Sequence, residues 1–142
     1  MSRLPTLFLS HGSPMNAIGR TASSDAWAGL ARTLPRPRAV LVASAHWETA
    51  VPMFTGNPKP ETIHDFGGFP EELYRMRYPA AGAPELAAEA VALLKEAGIT
   101  AGVNGCRGLD HGAWVPLSSM DPEPDLPVVQ ISLQPGIGAA RH

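Results

Sequence analysis

The chain has a single cysteine, Cys106, so no intrachain disulfide framework can form, and that usage fits a reducing compartment, with the cytoplasm as the default location. It has no run of Lys or Arg, and its formal net charge is −2. The electrostatic footprint of a nucleic-acid or anionic-membrane binder is therefore missing. No apolar stretch approaches the roughly 20 residues a membrane helix requires. The opening run MSRLPTLFLSHG has too short an apolar segment and no cleavage pattern for a secretory signal. Internal repeats, low-complexity blocks and composition shifts are absent as well. The stretch Gly105-Cys106-Arg107-Gly108 lacks both the Lys-Ser/Thr of a phosphate loop and the pattern of a dinucleotide fingerprint.

What the sequence does contain is the makeup of one globular unit. Its 142 residues are 44% hydrophobic and 17% charged, so residues 1–142 are expected to form a single domain with a core. The 15 prolines lie between apolar runs, as in an α/β protein with many ordered loops. Leu4 to Leu9 is a short continuous apolar run that stops at Ser10-His11-Gly12, which reads as a strand buried on both faces. Ser23 or Ser24 can cap a helix to about Leu34, with Trp27, Leu30 and Ala31 inward. Ala39 to Ala45 repeats the buried-strand pattern and stops at His46.

Val51 to Thr55 reads as a short strand, and a Pro/Gly-dense loop follows from Gly56 to Phe69. A short helix, Glu71 to Arg77, begins after Pro70. The clearest helix runs from Pro84 to Ala97 and is terminated by Gly98, with Leu86, Ala90, Leu93 and Leu94 as its apolar stripe. Ile99 to Val103 as strand, Gly112 to Met120 as helix and Pro127 to Leu133 as strand complete the alternation. This order predicts an α/β fold with a largely parallel sheet and helices on both faces.

Ligands in open α/β sheets collect outside the carboxyl ends of the strands. His11 and His46 each follow an apolar run directly, and a strand-helix-strand crossover often leaves its two strands adjacent. Neighbouring strands lie about 4.8 Å apart, and two imidazoles on one tetrahedral ion are about 3.4 Å apart. The two rings therefore have room to share a metal. A lone histidine at such a position is more often a loop residue bonded to backbone. Two at equivalent positions, flanked by the small residues Ser10, Gly12, Ser44 and Ala45, shift the balance toward a site. His64 and His111 also sit in polar, Gly-rich settings. Asp110 is a plausible cap for the helix after it, which places His111 in that helix's first turn. Phe66, Phe69 and Trp114 are suited to walling a flat substrate, although aromatics are more often plain core. Cys106 and His142 suggest no role.

Four ordered motifs carry a resemblance beyond this pattern. They are Leu7-Phe8-Leu9-Ser10-His11-Gly12-Ser13-Pro14-Met15, Ser44-Ala45-His46-Trp47-Glu48, His64-Asp65-Phe66-Gly67-Gly68-Phe69-Pro70 and Gly108-Leu109-Asp110-His111-Gly112-Ala113-Trp114. In this order they resemble the class III extradiol ring-opening dioxygenases of the LigB superfamily, of the DOPA 4,5-dioxygenase type. The resemblance implies His11 and His46 as ligands of Zn(II) or Fe(II), His111 as a catalytic residue of the pocket, and His64 as a substrate-side residue on a nearby loop. It implies a catechol and O₂ as reactants. It also implies further histidines downstream of residue 142, so the chain is expected to be the N-terminal part of a catalytic domain. A weakened or absent metal site, with an inactive chain as one outcome, and an uncovered sheet face are then expected. Two other readings share the layout: a zinc-dependent hydrolase using metal-bound water, and a non-catalytic fragment.

Overall fold

The computed structural model describes residues 4–142; residues 1–3, the start of the segment searched for a leader, lie outside it. The elements are α1 (Ala22–Thr33), β1 (Val40–Glu48), β2 (Met53–Thr55), α2 (Glu71–Arg75), α3 (Pro84–Glu96), β3 (Gly102–Asn104), α4 (His111–Met120) and β4 (Val128–Leu133), with 3-10 turns at Pro14–Ala17 and Ala139–Arg141. One four-stranded sheet has the order β1-β4-β2-β3. β1 pairs with β4 and β2 with β3 in parallel, while β2 meets β4 antiparallel. The mostly parallel α/β expectation holds.

Strand β4 divides the core, because successive side chains of a strand point to opposite faces. Val128 packs with Trp27 of α1 and with Ala113, Trp114 and Leu117 of α4. Val129 packs on the other side with Phe54 of β2 and with Ala87 and Val91 of α3. Helices thus cover both faces. The cover is incomplete over β1, whose Val40 and Val42 join the first cluster while Leu41, one residue out of phase, is 55% exposed.

Helix ends follow local chemistry. α1 is capped by Thr21, not by Ser23 or Ser24: Thr21 Oγ1 accepts from the Ser24 backbone N–H at 3.1 Å and Ser24 Oγ accepts from Thr21 N–H at 2.8 Å. This reciprocal pair satisfies two otherwise orphaned donors, which a cap at Ser23 or Ser24 does not. In α3, Pro84 is in the first turn as expected, and Gly98 just past the end has φ +75°. Its inner stripe is centred on Ala87 and Val91, leaving Leu93 exposed.

The first expected strand is not formed. Residues 4–10 take part in no strand pairing, Phe8 is 99% exposed, and only Leu9 of this run packs against the first cluster. A strand buried on both faces needs a ladder neighbour and helices above and below. Here β1, at the sheet edge, bonds only to β4. The proposed adjacency of two histidine-ended strands is therefore corrected: His11 reaches the sheet on a turn.

Candidate metal centre

Three different local devices bring three imidazoles together. His11 precedes Gly12, whose φ of +58° turns the chain sharply. Its carbonyl accepts from Asn16 Nδ2 at 3.1 Å, and Ser13 caps the 3-10 turn that follows. These bonds fix the ring's approach to β1.

His46 lies within β1, since the strand continues to Glu48, but past its regular ladder. Pairing with β4 is in register from Val40 to Ala43 and resumes only at Glu48, opposite Leu133. A bulge of this kind re-aims side chains. Ser44 and Trp47 turn inward and Ala45 and His46 outward, a spacing that strict alternation would not give. His111 is the first residue of α4, where Asp110 caps by accepting from Gly112 N–H at 3.0 Å.

His11 Nε2 and His46 Nε2 are 2.8 Å apart. The His111 ring centroid is 4.0 Å from that of His46 and 4.9 Å from that of His11. One ring nitrogen from each lies within 4.8 Å of the others, with His111 buried, His11 partly buried and His46 exposed. Burial first, and then the neighbouring His111 and His46 rings, hold the His11 imidazole below its ordinary value of 6.5. That favours the neutral form a metal needs. His11 Nδ1 is buried without a hydrogen-bond partner among the described residues. The 2.8 Å separation is shorter than the roughly 3.4 Å of two ligands on one tetrahedral ion, so the rings would part by about half an ångström to admit one. The all-imidazole donor set and the neutral bias of His11 fit a borderline divalent cation.

Behind the rings lies a buried polar frame. Asp110 is fully buried and accepts from Ser44 Oγ at 2.6 Å, Arg107 Nη2 at 3.1 Å, Gly112 N–H and Gln130 Nε2. Ser44 Oγ also accepts from His46 N–H at 3.2 Å. The Arg107 guanidinium covers the buried Trp47 ring at 4.6 Å. Gly112 closes the frame: a Cβ there would lie 2.5 Å from Ser44 Oγ and 3.0 Å from His46 Cδ2.

Asp65 Oδ1 is 2.7 Å from His111 Nδ1 and accepts from His111 N–H at 3.1 Å. Burial pushes the Asp65 carboxyl up, but the bonds from the His111 ring and backbone outweigh it and hold the group below its ordinary value.

His64 is not one of the three. Its Nε2 is 3.0 Å from the Met76 carbonyl, and its ring stands among Phe66, Tyr74 and Trp114. Phe66 separates this group from the centre, standing edge-on to His111 at 5.6 Å. Trp114 is fully buried and donates from Nε1 to the Ile63 carbonyl at 2.9 Å, so it is core rather than wall. His142 accepts from Gln134 N–H beside the last turn. Sequence reasoning singled out the three histidines and the Asp110 cap. It missed the roles of Ser44, Arg107 and Gln130, and Asp65 entered only as part of a motif. Asp65 beside His64 in a Gly-rich loop was the one available signal.

An α/β sheet with imidazoles gathered at its edge from a turn, a bulged strand and a helix N-terminus defines a candidate mononuclear metal protein. The chain belongs to the family described as the catalytic LigB subunit of aromatic ring-opening dioxygenase, whose model matches residues 5–142. It is 46% identical over 141 residues to a 4,5-DOPA dioxygenase extradiol of Escherichia coli (strain K12), covering 99% of this chain and 52% of that protein. It is 44% identical to the protein of the same name from Beta vulgaris, covering 96% and 53%. The crystal structure of an uncharacterized Escherichia coli K12 protein superposes with a TM-score of 0.65 at 37% identity, over 85% of this chain and 44% of that one. The chain thus spans about half the length of the curated relatives it matches and corresponds to their N-terminal part.

Proposed function

We propose that residues 1–142 are the N-terminal part of the catalytic domain of an extradiol dioxygenase, one that opens the ring of a DOPA-like catechol with O₂ at a non-haem divalent metal. The observation that carries this reading is the convergence of His11, His46 and His111, with ring nitrogens within 4.8 Å of one another. The names of the relatives supply the reaction class.

His11 and His46 would hold the ion through Nε2, and the imidazole donor set suits Fe(II) or Zn(II) alike; of the two, Fe(II) is suited to O₂ chemistry. The ion supplies a Lewis-acidic centre that holds both reactants in one geometric frame. His111, buried and next to both ligands, takes a proton from a catechol hydroxyl and returns one later. Phe66 forms a wall for the aromatic ring, and His64, beyond it and anchored on the Met76 carbonyl, shapes the outer substrate side. The lone exposed Cys106 fits a cytoplasmic setting.

The test has two stages. Anaerobic titration of Fe(II) or Zn(II) at micromolar protein is expected to show stoichiometric binding that His11→Ala and His46→Ala each remove. The Fe(II)-loaded chain is then expected to consume O₂ only when a catechol is added, with a yellow product. Metal binding indifferent to both substitutions would contradict the reading. So would anaerobic ester or amide turnover by the zinc form in place of catechol-dependent oxygen uptake.

A further inference from the structure

We infer that Asp65 is the positioning residue for His111: its carboxylate fixes the proton on Nδ1, so that Nε2 is the nitrogen left with a lone pair for the centre. The inference deepens the dioxygenase reading, which it relies on only for what the free nitrogen is used for.

The geometry makes Asp65 a two-point clamp. A single oxygen, Oδ1, accepts from the His111 backbone N–H at 3.1 Å and lies 2.7 Å from the ring Nδ1. An ionised carboxylate has no proton to donate, so a hydrogen bond at that distance requires Nδ1–H. The other nitrogen of a neutral ring is then the acceptor. Among the described residues, neither histidine neighbour has such a partner. His11 Nδ1 is buried with none, and the one side-chain bond found for His46 joins it to His11. Of the three rings, only His111 has its tautomer set by a carboxylate, and that ring is also the most deeply buried.

The clamp comes from outside the helix that carries the ring. Asp65 lies in the loop before α2, and the loop is itself tied down. The Ile63 N–H donates to the Leu109 carbonyl at 2.8 Å and Trp114 Nε1 to the Ile63 carbonyl at 2.9 Å. Thr62 bridges to Leu109 in parallel β fashion. Both neighbours of Asp65 are held as well: His64 by the Met76 carbonyl, and Phe66 through its own carbonyl, which accepts from Tyr74 Oη at 3.4 Å. The carboxylate is therefore presented by a braced loop, and orienting partners of this kind set both tautomer and ring angle.

Long-range ¹H–¹⁵N correlation spectra of the full 142-residue chain, taken with the rings unprotonated and without added metal, report the tautomer directly. His111→Gln assigns the ring's signals. The expected result is an Nδ1–H tautomer for His111 in the unmodified chain, and an Nε2–H tautomer there would overturn the inference with no further variant. Asp65→Ala is expected to lose the Nδ1–H preference while the backbone spectrum stays dispersed, whereas the amide oxygen of Asp65→Asn can still accept from both His111 N–H groups and is expected to keep it. A folded Asp65→Ala that keeps the Nδ1–H tautomer would also overturn it. Metal titration of the same samples separates the two claims. An Nδ1–H ring in a chain that binds no metal would sink the functional reading and leave this inference standing.

Discussion

Removing the Asp110 carboxylate would strand four donors at once, from Ser44, Arg107, Gly112 and Gln130, in the protein interior. Breaking such a buried charged network costs about 3 kcal/mol or more. Asp110→Ala should therefore shift the urea midpoint strongly even though none of these hydrogen bonds goes to a ring of the centre. Gly112→Ala acts in the opposite sense, by intrusion. The added methyl meets Ser44 Oγ and His46 Cδ2, and overpacking of this kind costs about 1–3 kcal/mol. It should lower the melting temperature and weaken metal binding together, whereas Gly67→Ala, with open space around it, should do neither. Two groups define the acid limit. The His11 ring is held below its ordinary 6.5, so the folded state binds its proton less readily than the unfolded chain. Stability and metal occupancy should both be full above about pH 6.5 and decline as pH falls through the lowered value. Asp65 is likewise depressed below its ordinary 3.8, so its contribution is present above that pH and lost as acid protonates it. Metal titrations and thermal melts from pH 8 to 3 should show the two losses in that order, and the second should be missing in Asp65→Asn.

The elements that present these residues were legible where the signal is local. Pro84 and Gly98 bracket α3 because one has no N–H to lose in a first turn and the other accepts a positive φ at no steric cost. Asp110 reads as a cap from its own chemistry and the apolar run after it. Thr21 was passed over in favour of the serines that follow it, although Ser24 three residues on completes a capping box. Thr21→Ala should cost about 1 kcal/mol, measurable by chemical denaturation. The β1 bulge was not legible, because nothing in Ser44-Ala45-His46-Trp47 announces that the ladder to β4 is interrupted. Nor was the clamp on His111, whose partner is 46 residues away. The run from Leu4 to Leu9 misled for a physical reason. Continuous apolar character states that a segment prefers to be covered and says nothing about what covers it.

At the scale of the molecule, the sheet is well covered on one side of β4 and only partly on the other. Among the described residues, Phe8, at 99% exposure, Leu93, at 60%, and Leu41, at 55%, are the largest departures. Exposed apolar side chains of this size favour association. Phe8→Ser and Leu41→Ser should reduce light scattering and dye binding while changing stability by less than about 0.5 kcal/mol. The expected pairing of two strands is not formed, yet His11 Nε2 and His46 Nε2 still lie 2.8 Å apart, because a turn and a bulge bring together what adjacent strand ends were expected to. Function at this scale depends on whether three rings delivered by separate elements act on one ion. X-ray absorption at the metal edge of the zinc-loaded chain tests this most directly. The account expects imidazole scattering at about 2.0–2.1 Å, lost in His46→Ala and in the His11→Ala/His46→Ala double variant. A spectrum with no imidazole contribution, or one unchanged in the double variant, would contradict it.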